Sequence, residues 1–217
     1  MGCCGEPEVV HRRTDRLGHR LRGEPRPAWA QRPEAAYRWV SRSSLDLAAT
    51  VTVVTGSTVD EVLRAFGADP QQPQSSKAIS SDLMERGSID PWVAVLDTGT
   101  AVVAVEYNGS VGAQELVLRR VSAAGRAGSM YWNANALTRL SFAEQGELLA
   151  GFEAMGLVDG GPRLTEVLAG LDFEDYRDTV AKGMVAVERF TGYTVTPEDI
   201  ARIEAAGTGF RILPTTG

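Results

Sequence analysis

Residues 129–155 read SMYWNANALTRLSFAEQGELLAGFEAM. Apolar and polar side chains alternate through Ser129–Asn135 and again through Thr138–Ala143. Glu144-Gln145-Gly146 is a tight-turn sequence before Glu147–Met155. Alternation with period two marks strands with one buried face, and successive strands joined by short turns pair antiparallel. On the first strand Met130, Trp132 and Ala134 share one face, and Tyr131, Asn133 and Asn135 share the other. A turn at 144–146 predicts Phe142 opposite Leu148 and Leu140 opposite Ala150.

The same reading extends outward from this meander. Ala49–Val54 is a β-branched strand ended by Gly56. Thr58 and Glu61 have capping-box spacing, and the apolar periodicity of Val59, Val62, Leu63 and Phe66 predicts a helix closed by Gly67. Residues 68–90 read as a long polar connection. Trp92–Leu96 and Thr100–Tyr107 flank Asp97-Thr98-Gly99 as a hairpin. Ala113–Ala124 reads as a helix stopped by Gly125. Helices are also predicted over Leu164–Leu171, from Phe173 to Phe190, and from Thr196-Pro197 to Ala206. The order β-α-ββ-α-βββ followed by a C-terminal helical segment predicts an α+β fold. Its sheet is mainly antiparallel, with helices on one face.

Composition sets the boundaries. Residues 1–36 are rich in Arg, Pro and Gly and poor in large apolar groups, which predicts a flexible arm. A single domain follows over 37–210, with a frayed tail at 211–217. The basic residues are almost all Arg, with only Lys77 and Lys182 as lysines. Together with abundant Ala, Gly and Val, this points to a GC-rich genome such as an actinobacterium's. The net charge is −6. The acidic body disfavours nucleic acid as a partner, because phosphates would repel it. No apolar run is long enough to span a bilayer, and no signal sequence is readable. The expected location is the cytoplasm.

Both histidines (His11, His19) and both cysteines (Cys3, Cys4) lie in the first nineteen residues. The rest of the chain therefore lacks the imidazole of a Ser-His-Asp triad, the thiolate of a cysteine enzyme and the usual zinc ligands. No catalytic residue, metal or cofactor is predicted.

Four stretches resemble a family of uncharacterised actinobacterial proteins, known only as a domain of unknown function. They are the Trp92-Val93 hairpin ending Glu106-Tyr107-Asn108-Gly109; Tyr131-Trp132-Asn133-Ala134-Asn135-Ala136; Leu140-Ser141-Phe142-Ala143-Glu144; and Thr191-Gly192-Tyr193 leading to Thr196-Pro197-Glu198. The resemblance spans roughly 38–206 and implies no activity.

Two constellations bear on function. Leu96-Asp97-Thr98-Gly99 resembles an aspartic-protease segment, but Asp-Thr-Gly is also a common hairpin turn. The second is polar: Tyr131, Asn133 and Asn135 on one strand face, Arg139 on the next strand, and Glu106 and Glu153 nearby. Amides sit poorly in strands, so this face is the predicted binding surface: Tyr131, Asn133, Asn135, Arg139 and Glu106. The leading expectation is a non-enzymatic protein-binding module with a regulatory, immunity or defence role. The alternatives are a carboxylate hydrolase using Asp97 or the Glu106/Glu153 pair, and a small-ligand sensor over Tyr131, Asn133 and Arg139.

Overall fold

A computed structural model describes residues 32–154 and 161–213. The expected arm, with Cys3, Cys4, His11, His19 and Trp29, lies almost wholly outside them, as do residues 214–217 of the expected tail.

Among the described residues eight strands form one sheet: β1 Ala49–Val54, β2 Gln74–Ser75, β3 Trp92–Asp97, β4 Val102–Tyr107, β5 Arg126–Trp132, β6 Thr138–Glu144, β7 Glu147–Glu153 and β8 Thr208–Arg211. Their order is β2-β8-β3-β4-β1-β5-β6-β7, and every pairing is antiparallel. The helices are α1 Val59–Phe66, α2 Ser76–Arg86, α3 Glu115–Val121, α4 Gly161–Leu168, α5 Thr179–Thr191 and α6 Pro197–Ala206. The fold is α+β, as the sequence predicts.

The helices cover both faces of the sheet, which departs from the expectation of one. On the first face Val51, Val53, Val103, Met130, Trp132, Leu140 and Phe142 pack with α5 and α6 residues such as Met184, Val187 and Ile203. On the second face Val54, Val102, Ala127 and Ala143 pack with Leu63 and Phe66 of α1 and Val117, Leu118 and Val121 of α3. The cause is written in β1, whose six residues are all buried. A strand buried on both sides needs cover on both sides.

Local chemistry sets the helix ends. The Thr58/Glu61 capping box opens α1, and Thr196/Asp199 with Pro197 opens α6. The periodicity from Phe173 predicts a longer α5 than forms. Lys182, buried in α5, donates from Nζ to the Asp172 and Asp175 carbonyls at 2.6 and 2.5 Å. Residues 172–178 thus wrap a buried ammonium and satisfy its donors instead of continuing the helix. The 68–90 connection contains β2 and α2, and Ile79 of α2 is fully buried. At the start, Glu34 and Tyr37 are buried in a 3-10 turn, so the packed structure begins before residue 37. At the end, Arg211 and Ile212 do not fray. Arg211 pairs with Asp82 at 2.5 Å, Ile212 N–H donates to the Pro91 carbonyl, and Leu213 N–H donates to that of Gly67.

Candidate functional site

The second face is ordered in three rows that run across the strands. The first row is Val102–Val54–Ala127–Ala143, which α1 and α3 cover. The second is Ala104–Thr52–Ser129–Ser141–Gly151. The third is Glu106–Thr50–Tyr131–Arg139–Glu153, each residue directly opposite the next. Polarity rises from row to row as helix cover ends. Along the third row burial falls, from Glu106 at 1% exposure to Arg139 and Glu153 in solvent.

The buried end of that row is closed by residues 108–113. Glu106 accepts N–H bonds from Val111 at 2.9 Å and Gly112 at 2.7 Å, and Thr50 Oγ1 donates to the Gly109 carbonyl at 2.6 Å. The loop lies too close for side chains. A Cβ on Gly109 would stand 2.6 Å from Glu106 Oε1, and one on Gly112 would stand 2.4 Å from Thr52 Oγ1. Burial pushes the Glu106 carboxyl up to about 7, and the two backbone N–H groups oppose that rise. Glu106 is therefore a buried staple for the loop and is not on the binding surface where the sequence predicts it.

The open end of the row floors a groove of about 490 Å³. Ala113, Gln114 and Glu115 form one wall, and Tyr131, Arg139 and Glu153 line the rest with Leu137. Tyr131 Oη accepts from Asn133 Nδ2 at 2.9 Å, which leaves the phenol proton to donate elsewhere. Glu115 is engaged by Arg119 at 2.8 Å. Among the described residues Arg139 makes no ion pair, although Glu153 is its cross-strand neighbour. The other two strand arginines do pair, Arg126 with Glu144 at 2.7 Å and Arg211 with Asp82. Arg139 instead extends over Gly151, where a Cβ would stand 2.7 Å from its Nη2.

The structure thus brings together Tyr131 and Arg139, with Asn133 as a buttress. Asn135 is a correction. The strand ends at Trp132, because Asn133 Oδ1 accepts from the backbone N–H of Asn135 at 3.0 Å and of Leu137 at 3.1 Å. Asn135 sits in the resulting turn and not beside Tyr131 on a strand face. The carboxylate pair is also a correction. Four strand spacings separate Glu106 from Glu153, roughly 19 Å, too far to act on one bond. Asp97 lies at the other end of its strand and its Oδ1 accepts from Gly99 N–H at 2.7 Å, a turn-forming contact. Gln114 and Gly151 were not predicted from the sequence. The signal for Gly151 is a glycine on a strand opposite a position diagonal to an arginine.

The matching family model is described as a family of unknown function, DUF6461, and spans residues 32–205. The chain belongs to this family. The DUF6461 match takes in β1–β7 and the groove and stops just before β8. No curated protein and no solved structure matches the chain. Among the described residues no helix is long and apolar enough to cross a membrane.

Proposed function

We propose that this DUF6461 chain is a non-enzymatic binding module of an actinobacterial cytoplasm that recognises another protein through the Tyr131–Arg139 groove. One observation carries the reading. Among the described residues Arg139 stands on the sheet exposed and without a carboxylate partner, whereas the other strand arginines, Arg126 and Arg211, are paired. A guanidinium is a forked donor suited to a carboxylate. Tyr131 adds an amphipathic ring of the kind that anchors interfaces. A role in regulation or defence is compatible with such a module. Arg139→Glu should keep the thermal midpoint within a few degrees and abolish capture of the partner from a lysate of the source organism. Retention of the same captured protein would refute the reading.

The groove volume also favours a second reading, since ligand pockets run to about 300–1,000 Å³. A small anionic ligand would seat its carboxylate on Arg139. A screen of small carboxylates by thermal shift, with Arg139→Glu as control, separates this from a protein partner.

A further inference from the structure

The sheet ends at β7, whose outer side has no partner among the described residues. Open edges are normally guarded by charged side chains, lysine above all, by proline, by a bulge or by a covering element. The strand Glu147-Leu148-Leu149-Ala150-Gly151-Phe152-Glu153 carries neither lysine nor proline, and its only charges are the two terminal glutamates, which leave Ala150–Phe152 unguarded. A bulge between Phe142 and Ala143 disturbs its start, and pairing is regular from Ala150 to Glu153.

One hydrogen bond fixes the phase of this edge. Ala154 N–H donates to the Thr138 carbonyl at 3.2 Å. Antiparallel ladders alternate, so Ala154 and Phe152 direct their backbone groups toward β6. Gly151 and Glu153 direct theirs outward. Their side-chain positions lie on the second face, in the rows that contain Arg139 and Ser141. The Arg139 guanidinium spans Gly151 and so stands next to the open edge.

We infer that β7 pairs antiparallel with β7 of a second copy about a two-fold axis at Phe152, placing the partner subunit's Glu153 opposite Gly151 and against Arg139. This rests on the reading that the Arg139 groove recognises protein, and it names that protein as this chain. Charge selects both the occupant and the register. Outward-facing residues must pair with outward-facing residues, which leaves axes at Gly151, Phe152 or Glu153. An axis at Gly151 sets the two guanidinium groups against each other. An axis at Glu153 sets carboxylate against carboxylate. The axis at Phe152 alone makes two Arg139–Glu153 contacts, one in each direction, as an isologous interface requires. It also brings the two Phe152 rings together on the first face, where non-hydrogen-bonded partners approach most closely.

The test is a charge swap in the full chain, read by sedimentation velocity across a concentration series, with circular dichroism to confirm folding. The wild type should be a dimer. Arg139→Glu and Glu153→Arg should each weaken association by about tenfold or more, because each sets like charges together. The double variant Arg139→Glu/Glu153→Arg should restore the dimer. A monomeric wild type at high micromolar concentration overturns the inference, and so does a dimer that ignores both single substitutions or a double variant that fails to recover. A monomeric wild type that still captures a different protein through Arg139 leaves the binding-module reading standing. Loss of the dimer with full retention of every captured partner in Arg139→Glu would separate the two in the other direction, refuting recognition of a different protein through the groove while supporting the paired edge.

Discussion

The indole N–H of Trp132 donates to the carbonyl oxygen of Leu45 at 2.8 Å, and both residues are buried. This bond ties the end of β5 to the segment that leads into β1. It satisfies the one polar atom of the largest side chain on that strand.

Trp132→Ala should therefore cost about 3–5 kcal/mol, as large aromatic truncations in cores do. Trp132→Phe should cost less, yet still leave the Leu45 carbonyl orphaned, worth about 1–3 kcal/mol. Urea denaturation of the two variants checks both values.

Glu106 gives a pH signature. Its carboxyl ionises at about 7 in the folded chain against 4.5 for an unburied group. Below pH 4.5 it is protonated in both states and the folded state has its full benefit. As pH rises from 4.5 to 7 the unfolded chain loses the proton first, so stability from this group falls, and above 7 it is level. The loss is about 3 kcal/mol at 1.36 kcal/mol per pH unit. The difference in unfolding free energy between wild type and Glu106→Gln, measured across pH, should fall through that window and flatten on either side.

Asn133→Ala removes both side-chain bonds that form the 133–136 turn. The expected cost is about 1–2 kcal/mol, so this variant lowers the melting temperature. It also frees Tyr131 Oη in the groove, whereas Arg139→Glu should leave the midpoint nearly unchanged.

Asp97→Asn keeps an oxygen that can accept from Gly99 N–H, so stability should change by less than about 0.5 kcal/mol. Acid-pH peptide cleavage by the wild type that disappears in this variant would contradict the turn assignment.

How far the sequence was legible depends on what each segment encodes locally. Thr58 and Glu61, and Thr196 and Asp199, announce their helices because a capping box is a contact within four residues. Trp132 and Tyr131 were placed on opposite faces by alternation alone. Asn135 was misplaced because the Asn133 side chain competes for backbone N–H groups and turns the chain. The meander's register differs by two residues, one because Glu144 pairs with Glu147 and leaves a two-residue turn, and one because of the bulge after Phe142: Leu140 faces Phe152 and Phe142 faces Ala150. A turn sequence carries no mark of that extra residue. The helix α2 hid because it buries only Ile79 among serines and charges. The strand β8 hid because four residues offer too little alternation to read. Of the groove, Tyr131 and Arg139 follow from strand pattern. The fact that Arg139 lies over Gly151 is a tertiary relation between strands, which no local rule expresses.

The position of β8 has a consequence for how the molecule forms. Among the described residues it is the last strand in sequence, yet it sits between β2 and β3 and pairs with both, as Phe210 with Val93 and Gly209 with Gln74. Such closure across almost the whole domain is slow, because loop entropy must be spent before the contact rewards it. Until it happens, the outer side of β3, with Trp92 and Val93, stands bare. During synthesis the growing polypeptide therefore carries an uncovered apolar edge until residues 208–211 emerge. That interval is when the unpaired edge is most exposed to mispairing.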